Sequence, residues 1–152
     1  MIRDMTPASS NEFDRFLEAQ SRVYDQVVEE LTSGRKSSHW MWFIFPQVRG
    51  LGHSAMAQRF AIASLDQARR FANHFVLGQR LRQCTRLVLH FQGREISDIF
   101  RFPDDLKFRS SMTLFAITAP EEPLFNSALK KYFDGQRDLR TLGILGLNDG
   151  EN

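Results

Sequence analysis

Residues 11–34 read NEFDRFLEAQSRVYDQVVEELTSG. Phe13, Phe16, Leu17, Val23, Tyr24, Val27, Val28 and Leu31 recur there at three- and four-residue spacing, the signature of one apolar face of an α-helix. The pattern predicts a helix from Asn11 to Thr32. Ser9, Ser10 or Asn11 is expected to cap its start, and Glu12 and Asp14 suit the positive end of its dipole. Gly34 supplies the left-handed conformation that stops it. No other stretch alternates convincingly with the period of a strand, so this helix sets the class. The chain is expected to form a compact all-α multihelical domain over residues 1–152, with an ordered core of about 11–146 between short flexible termini.

Outward from Gly34 the periodicity fades. Trp40, Trp42, Phe43, Ile44 and Phe45 form an apolar run ended by Pro46, which reads as a buried extended loop or a small two-stranded element near residues 40–48. Beyond it, Ser54 is placed to cap a short helix through Ala61. Ser64 and Gln67 have capping-box spacing at the start of a helix from Leu65 to Asn73. Leu77, Leu81, Cys84, Thr85, Val88 and Phe91 mark a helix near 76–91, with Arg82 and Arg86 turned toward water. Pro103 ends the next apolar run and leaves Asp104 to cap the segment Asp104–Thr118, whose SSMTLFAIT reads either as helix or as a turn at Ser110-Ser111. Pro123 opens a helix bearing Phe125, Ala128, Leu129, Tyr132 and Phe133, with Gly135 as its stop, and Asp138 caps a last helix carrying Leu139, Leu142 and Leu145.

Composition narrows the function classes. With 152 residues, 42% hydrophobic and 25% charged, the chain has the balance of one globular domain. Its 14 phenylalanines imply a core built largely of rings. A formal charge of +2 is too small to predict a nucleic-acid groove, so any anion site must be local. Cys84, the only cysteine, excludes an intramolecular disulfide and reads as a buried hydrophobe in a protein of a reducing cytosol. No apolar run reaches the roughly 20 residues that span a bilayer, and the start of the chain lacks a signal-peptide pattern, so a cytoplasmic location away from membranes is expected. His39, His53, His74 and His90 are scattered without metal-ligand spacing, and no nucleophile elbow, phosphate-binding loop or dinucleotide fingerprint occurs. Neither a metal nor a cofactor is expected.

Two segments stand out for chemistry: Arg35-Lys36-Ser37-Ser38 and Lys107-Phe108-Arg109-Ser110-Ser111. Each sets two cations beside two hydroxyls and backbone N–H groups near a helix end, which suits a phosphate or carboxylate. Taken singly, such groups are more often solvated helix-end charges and caps. A planar group needs a stacking face as well, which Trp40 or Trp42 can offer. In an extended chain both indoles lie on one side, although at least one is expected to be structural. Gly50-Leu51-Gly52-His53-Ser54 adds a turn leading into a helix start. The ligand-binding set is therefore Arg35, Lys36, Ser38, Trp40, Trp42, Gln47, Ser54, Lys107, Ser110 and Ser111, with His39 and Asp105 as the groups that would handle a proton.

The stretches GRKSSHWMWFIFPQ and PDDLKFRSSMTLF, together with Phe13-Asp14-Arg15-Phe16, Val23-Tyr24, Gly50 to Ser54, Leu77 to Leu81 and Tyr132-Phe133-Asp134-Gly135, resemble the bacterial domain-of-unknown-function family 1810, some members of which carry the label calpastatin. The likeness covers roughly residues 11–145. It implies a compact multihelical fold and, through the joining of some members to macro domains that bind ADP-ribose, an association with ADP-ribose or nicotinamide dinucleotide metabolism. The chain departs from the family pattern at Phe75, Arg101 and Phe108, where proline, glycine and leucine are usual.

Two readings follow. One is a domain that binds, with or without processing it, a phosphate-bearing nucleotide-like small molecule such as ADP-ribose. The other is a non-enzymatic protein-interaction module whose aromatic patch meets a protein partner. Convergence of the two basic-serine segments on one concave site favours the first, and dispersal over two faces favours the second.

Overall fold

A computed structural model of the protein describes residues 12–148. Nine α-helices occur among them: α1 (Asp14–Ser33), α2 (Met41–Ile44), α3 (Ala55–Arg59), α4 (Leu65–Asn73), α5 (Leu77–Leu89), α6 (Ile96–Ile99), α7 (Asp104–Thr118), α8 (Pro123–Phe133) and α9 (Leu139–Leu145). The only β-pairing among the described residues is a parallel bridge between Val48 and Ile62. It is closed by Ile62 N–H donating to Gln47 O at 2.9 Å and Arg49 N–H donating to Ile62 O at 2.8 Å. The protein is all-α.

At the centre lies α7, packed against α4 and α8, while α5 joins α1, α4 and α8 around it. Nine of its 15 residues are buried. A helix covered on most sides shows no amphipathic period, which is why its sequence left a turn at Ser110-Ser111 open. The helix runs unbroken. Its β-branched and hydroxyl residues are accommodated because Ser110, Thr113 and Thr118 can return their hydroxyl protons to Leu106 O, Arg109 O and Leu114 O at 3.1, 2.8 and 2.7 Å.

Two aromatic clusters meet on α7. Phe115 packs with Phe71 and Phe125, which extends through Phe13, Phe16 and Phe60. Phe108 packs with Phe45, Phe100 and Phe133, joined by Trp40. Seven residues, two helical turns, separate Phe108 and Phe115, so one helix face serves both groups. This accounts for most of the phenylalanines as core.

Residues 40–48 depart from the expected extended element. Met41–Ile44 make a single helical turn, with Ile44 N–H donating to Trp40 O at 3.2 Å and Phe45 N–H to Met41 O at 3.1 Å. Burial explains the difference, since a helical turn supplies these N–H groups with acceptors where no neighbouring strand is present. Other expectations shift locally. Asp104 is the first residue of α7 and not its cap, because its carboxylate is engaged by two lysines. Asp134, at φ 55°, takes the left-handed position after α8, one residue before Gly135. Arg82 turns inward, donating to Glu122 Oε1 at 2.9 Å and to Ala72 O at 2.7 Å. The caps at Ser9, Ser10 and Asn11 lie outside the described residues. Gly34 does end α1 at φ 83°, and Ser54, Ser64 and Asp138 accept from Ala57, Gln67 and Thr141 N–H as caps. Cys84 is fully buried, and burial pushes its thiol up to about 12, the behaviour of a packing residue. No helix among the described residues is long and apolar enough to cross a membrane.

Glu30, in the last turn of α1, organises the segment that follows. Its side chain is 5% exposed. Oε1 accepts from Ser37 N–H at 2.8 Å, Ser38 N–H at 3.0 Å and Trp40 Nε1–H at 2.9 Å. Oε2 accepts from Ser38 Oγ–H at 2.6 Å and Gln26 Nε2–H at 2.8 Å. Burial pushes this carboxyl's pKa up, but the hydrogen bonds from Ser38, Ser37, Gln26 and Trp40 outweigh it and hold the group at about 2.

A folded-state pKa below the ordinary value stabilises the native state fully above pH 4.5, and that contribution fades as pH falls toward 2. Glu30→Ala should therefore cost about 3 kcal/mol at pH 7, since several buried donors lose their acceptor at roughly 1–3 kcal/mol each. Urea unfolding at pH 7 and pH 2.5 checks it, the expected gap between variant and wild type narrowing at the lower pH. Gly78→Ala should also lower the melting temperature, because a Cβ there would lie 2.2 Å from Ala72 O.

Candidate functional site

A cleft of about 530 Å³ opens between the 42–57 segment, the N-terminal half of α7 and the start of α9. Five of the expected ligand-binding residues line it: Trp42, Gln47, Ser54, Lys107 and Ser110. The structure adds His53, Arg109, Asp138 and Arg140 to the same walls. Its size is that of a small-molecule pocket, for which about 300–1,000 Å³ is usual.

Helical geometry puts Trp42 there. Successive side chains of a helix turn by about 100°, so residues two apart point to nearly opposite sides. Trp40 enters the core at 1% exposure, and Trp42 is left half-buried at the cleft. The indole of Trp40 also gives its N–H to Glu30, and it is not exposed to stack on a ligand.

The cations of the cleft are held mostly by neutral groups. Lys107 Nζ stands 5.0 Å over the Trp42 ring and 3.6 Å from Asp104 Oδ1. Arg109 fastens the turn after α8, donating from Nε to Gln136 O at 3.0 Å and from Nη2 to Arg137 O at 3.2 Å. Arg140 donates to Leu51 O at 3.2 Å from an exposed position. Carbonyls fix these guanidinium groups without cancelling their charge. The one carboxylate on the walls, Asp138, accepts on Oδ2 from Thr141 N–H at 3.0 Å and from Thr141 Oγ1–H at 2.5 Å. Ser110 Oγ lies 3.0 Å from the same Oδ2 and 3.1 Å from Leu106 O, its single proton placed between two acceptors. Ser110 thus braces Asp138 against α7, and the exposed Ser54 hydroxyl accepts from Ala57 N–H at 3.1 Å as a cap.

Arg35, Lys36, Ser38 and His39 line a separate hollow of about 310 Å³, together with Arg101 and Asp104. Arg35 and His39 are exposed there. The other two are occupied within the fold. Ser38 offers its hydroxyl and backbone N–H to Glu30. Lys36 Nζ is 2.8 Å from Asp104 Oδ2 with its side chain 8% exposed, touches Ser38 O, and lies 5.0 Å over the Trp40 ring. Ser111 is in the core and its hydroxyl has no hydrogen-bond partner among the described residues. Asp105 lines neither opening, and its Oδ1 accepts from Leu106 N–H at 2.9 Å. His39 and Asp105 are therefore not brought to one cavity.

The two basic-serine segments do meet, at Asp104, which receives Lys36 on one oxygen and Lys107 on the other. They share one carboxylate but face two openings, which is the dispersal that favours an interaction module, so a small-molecule reading has to rest on the walls of the cleft alone. Sequence reading missed Glu30, whose signal was an acid near the negative end of the α1 dipole, a place that requires compensating donors. It also missed Arg140, which follows Asp138 by two residues, because Asp138 was read only as a cap. Among the described residues, no group of three or more His, Cys, Asp or Glu side chains is placed to hold a metal ion.

A profile with the description "Protein of unknown function (DUF1810)" matches residues 10–145. The crystal structure of the conserved hypothetical protein Rv1873 from Mycobacterium tuberculosis is similar at 50% sequence identity, with 90% of this chain and 98% of that one covered and a TM-score of 0.88. No curated protein matches the chain.

Asp104 separates a structural lysine from an available one, and substitution should reveal the difference. Asp104→Asn leaves the nearly buried Lys36 ammonium without its carboxylate, at an expected cost of about 2 kcal/mol, less than the 3–5 kcal/mol of a fully buried pair. Denaturant unfolding measures this loss. The same variant frees Lys107, so binding of an anionic probe such as pyrophosphate to the cleft should hold or tighten, read by Trp42 fluorescence.

Proposed function

We propose that this chain, which belongs to the DUF1810 family of proteins of unknown function, binds a phosphate-bearing, nucleotide-like small molecule in the cleft lined by Trp42, Lys107 and Arg140. The observation that carries this reading is the meeting of a half-exposed indole with three cations and a single carboxylate in one cavity of about 530 Å³. Phosphate oxygens would take the charge-assisted hydrogen bonds of Lys107 and Arg140, and a planar base would lie against Trp42. Lys107 is the group able to move. Its contact with Asp104 is long at 3.6 Å, and when it swings toward a ligand Asp104 keeps the shorter 2.8 Å bond to Lys36. No carboxylate is left without a cation by the exchange.

Adenine nucleotides, including ADP-ribose and NAD, are the probes suggested by the company the family keeps. The site supports binding, and a reaction would need a proton-handling group inside the cleft, where His53 and Asp138 stand in place of His39 and Asp105. The competing reading as a protein-interaction surface is favoured by the facing of the two basic-serine segments to separate openings and by a set of exposed side chains. Among the described residues, four of the five large exposed apolar side chains, Phe102, Leu106, Leu139 and Ile144, belong to segments that also contribute residues to the cleft lining.

A thermal-shift series with ADP-ribose, NAD and mononucleotides tests the binding. At about 100 times its dissociation constant a ligand stabilises the fold by roughly 2.7 kcal/mol. Lys107→Ala and Arg140→Ala should each weaken the bound probe about tenfold, while unliganded stability changes by less than about 1 kcal/mol. Arg35→Ala, in the neighbouring hollow, should leave affinity unchanged. An absence of shift with every nucleotide overturns the reading.

A further inference from the structure

Tyr24 of α1 and Gln79 and Arg80 of α5 come from stretches singled out in the sequence, yet none of them lines the cleft. They line a second hollow, of about 630 Å³, together with Phe75, Arg82, Gln83 and Arg86. No carboxylate is among its lining residues. Three guanidinium groups stand here, and their partners differ. Arg82 is neutralised, its Nε donating to Glu122 Oε1 at 2.9 Å and to Oε2 at 3.1 Å. Arg80 is held without a counter-charge, its Nη1 donating to Oε1 of the buried Gln20 at 3.3 Å and its guanidinium lying 4.6 Å over the Tyr24 ring. Tyr24 is anchored in turn, because its hydroxyl donates to Gln83 Oε1 and accepts from the buried Cys84 thiol at 3.7 Å. That bond uses the Gln83 amide oxygen and leaves its NH2 group to donate. Among the described residues neither Arg80 nor the exposed Arg86 forms an ion pair.

We propose that this hollow binds a small aryl phosphate, a phosphate monoester carried on a planar ring. The site is independent of the cleft and does not rest on the nucleotide reading. Charge selects the anion. Two guanidinium groups without carboxylates match the charge of roughly −2 on a phosphate monoester, whose terminal oxygens accept from Arg80, Arg86 and the amides of Gln79 and Gln83. A carboxylate or a sulfate ester leaves one cation unmatched. Phe75 selects the ring. Its side chain lines the hollow at 79% exposure, and a flat ligand laid on it removes apolar area from water on both partners. The occupant is a free small molecule for two reasons. The volume falls in the range of about 300–1,000 Å³ usual for such ligands. Phe75 is also the only large exposed apolar side chain in the lining, which gives a protein partner no continuous apolar surface to cover. Arg80 and Tyr24 are already fixed, so their ordering costs little when the ligand arrives.

Heteronuclear NMR on the isotopically labelled whole chain tests this with phenyl phosphate, phenyl sulfate and inorganic phosphate. Phenyl phosphate should shift the side-chain amide signals of Gln79 and Gln83 and leave the indole N–H of Trp42 in place. It should bind about ten times more tightly than phenyl sulfate, which keeps the ring with one charge fewer, and than inorganic phosphate, which lacks the ring. Arg86→Ala should weaken phenyl phosphate about tenfold. Phe75→Ser should bring it to the level of inorganic phosphate without changing the Kd of the latter. Both side chains are exposed, so both variants are expected to fold. Shifts at Trp42 in place of Gln79 and Gln83 assign the ligand to the cleft and overturn the inference. Phenyl sulfate binding as tightly as phenyl phosphate overturns it too, as does binding by none of the three, and neither result touches the nucleotide reading of the cleft.

Discussion

One buried carboxylate determines how the middle of this protein is arranged. Glu30 gathers five donors, three of them from the segment 37–38 and one from the indole of Trp40. An acid at a helix C-terminus opposes the dipole and a buried carboxylate is costly to desolvate, so only so full a set of donors makes the position favourable. By fixing Trp40 in the core, the arrangement sets the phase of the single turn α2, and the phase sends Trp42 outward. The anion-binding chemistry visible in Arg35-Lys36-Ser37-Ser38 is real, but much of it is directed at the chain's own carboxylate. The hydroxyl and N–H of Ser38 recognise an anion that is already inside the fold.

Asp104 repeats this logic with the opposite consequence. It draws Lys36 into a nearly buried pair, and by sharing its second oxygen with Lys107 it fixes where the remaining positive charge lies. On the Lys36 side the ammonium is paired with Asp104 and shielded by the Trp40 face, while Arg35 and Arg101 keep that hollow positive as well. On the cleft side Lys107 joins Arg109 and Arg140, whose guanidinium groups meet carbonyl oxygens. A formal charge of +2 for the whole chain is thus compatible with a locally positive site, because pairing elsewhere removes charges from play.

How much of this was legible in the sequence depended on what kind of signal each residue gives. The face of α1, the stop at Gly34, the start of α4 after Ser64 and the opening of α8 at Pro123 follow from periodicity and capping, which are local properties. The run Trp40–Phe45 was not legible because a short apolar stretch has the same pattern as a buried strand and a buried helical turn. Its reading as extended then placed both indoles on one side, where the helix places them on two. The interior of α7 was ambiguous for the reverse reason, since burial on most sides removes the contrast that marks a helix. At the candidate site the sequence displayed donor types and could not display their partners. Nothing local distinguishes Ser38, bound to Glu30, from Ser54 on the cleft wall, nor Ser110 from Ser111.

That last pair shows why the cleft is firmly built. Along α7, Lys107 and Arg109 reach the cleft, whereas Phe108 between them packs with Phe45 and Phe100 in the core. Ser110 braces Asp138 on the cleft wall, and Ser111 one step further lies inside. Lys107 and Arg109 are therefore mounted on a helix whose remaining surface is locked by aromatic packing, and their backbones have little freedom to lose to the ligand proposed above. Such preorganisation lowers the entropic cost of binding, and it also confines adjustment to side-chain rotation. Lys107 is the one wall cation with a long ionic contact to a carboxylate that already has a second partner. Selectivity for the proposed ligand should accordingly depend less on movement of the fold than on what reaches Lys107.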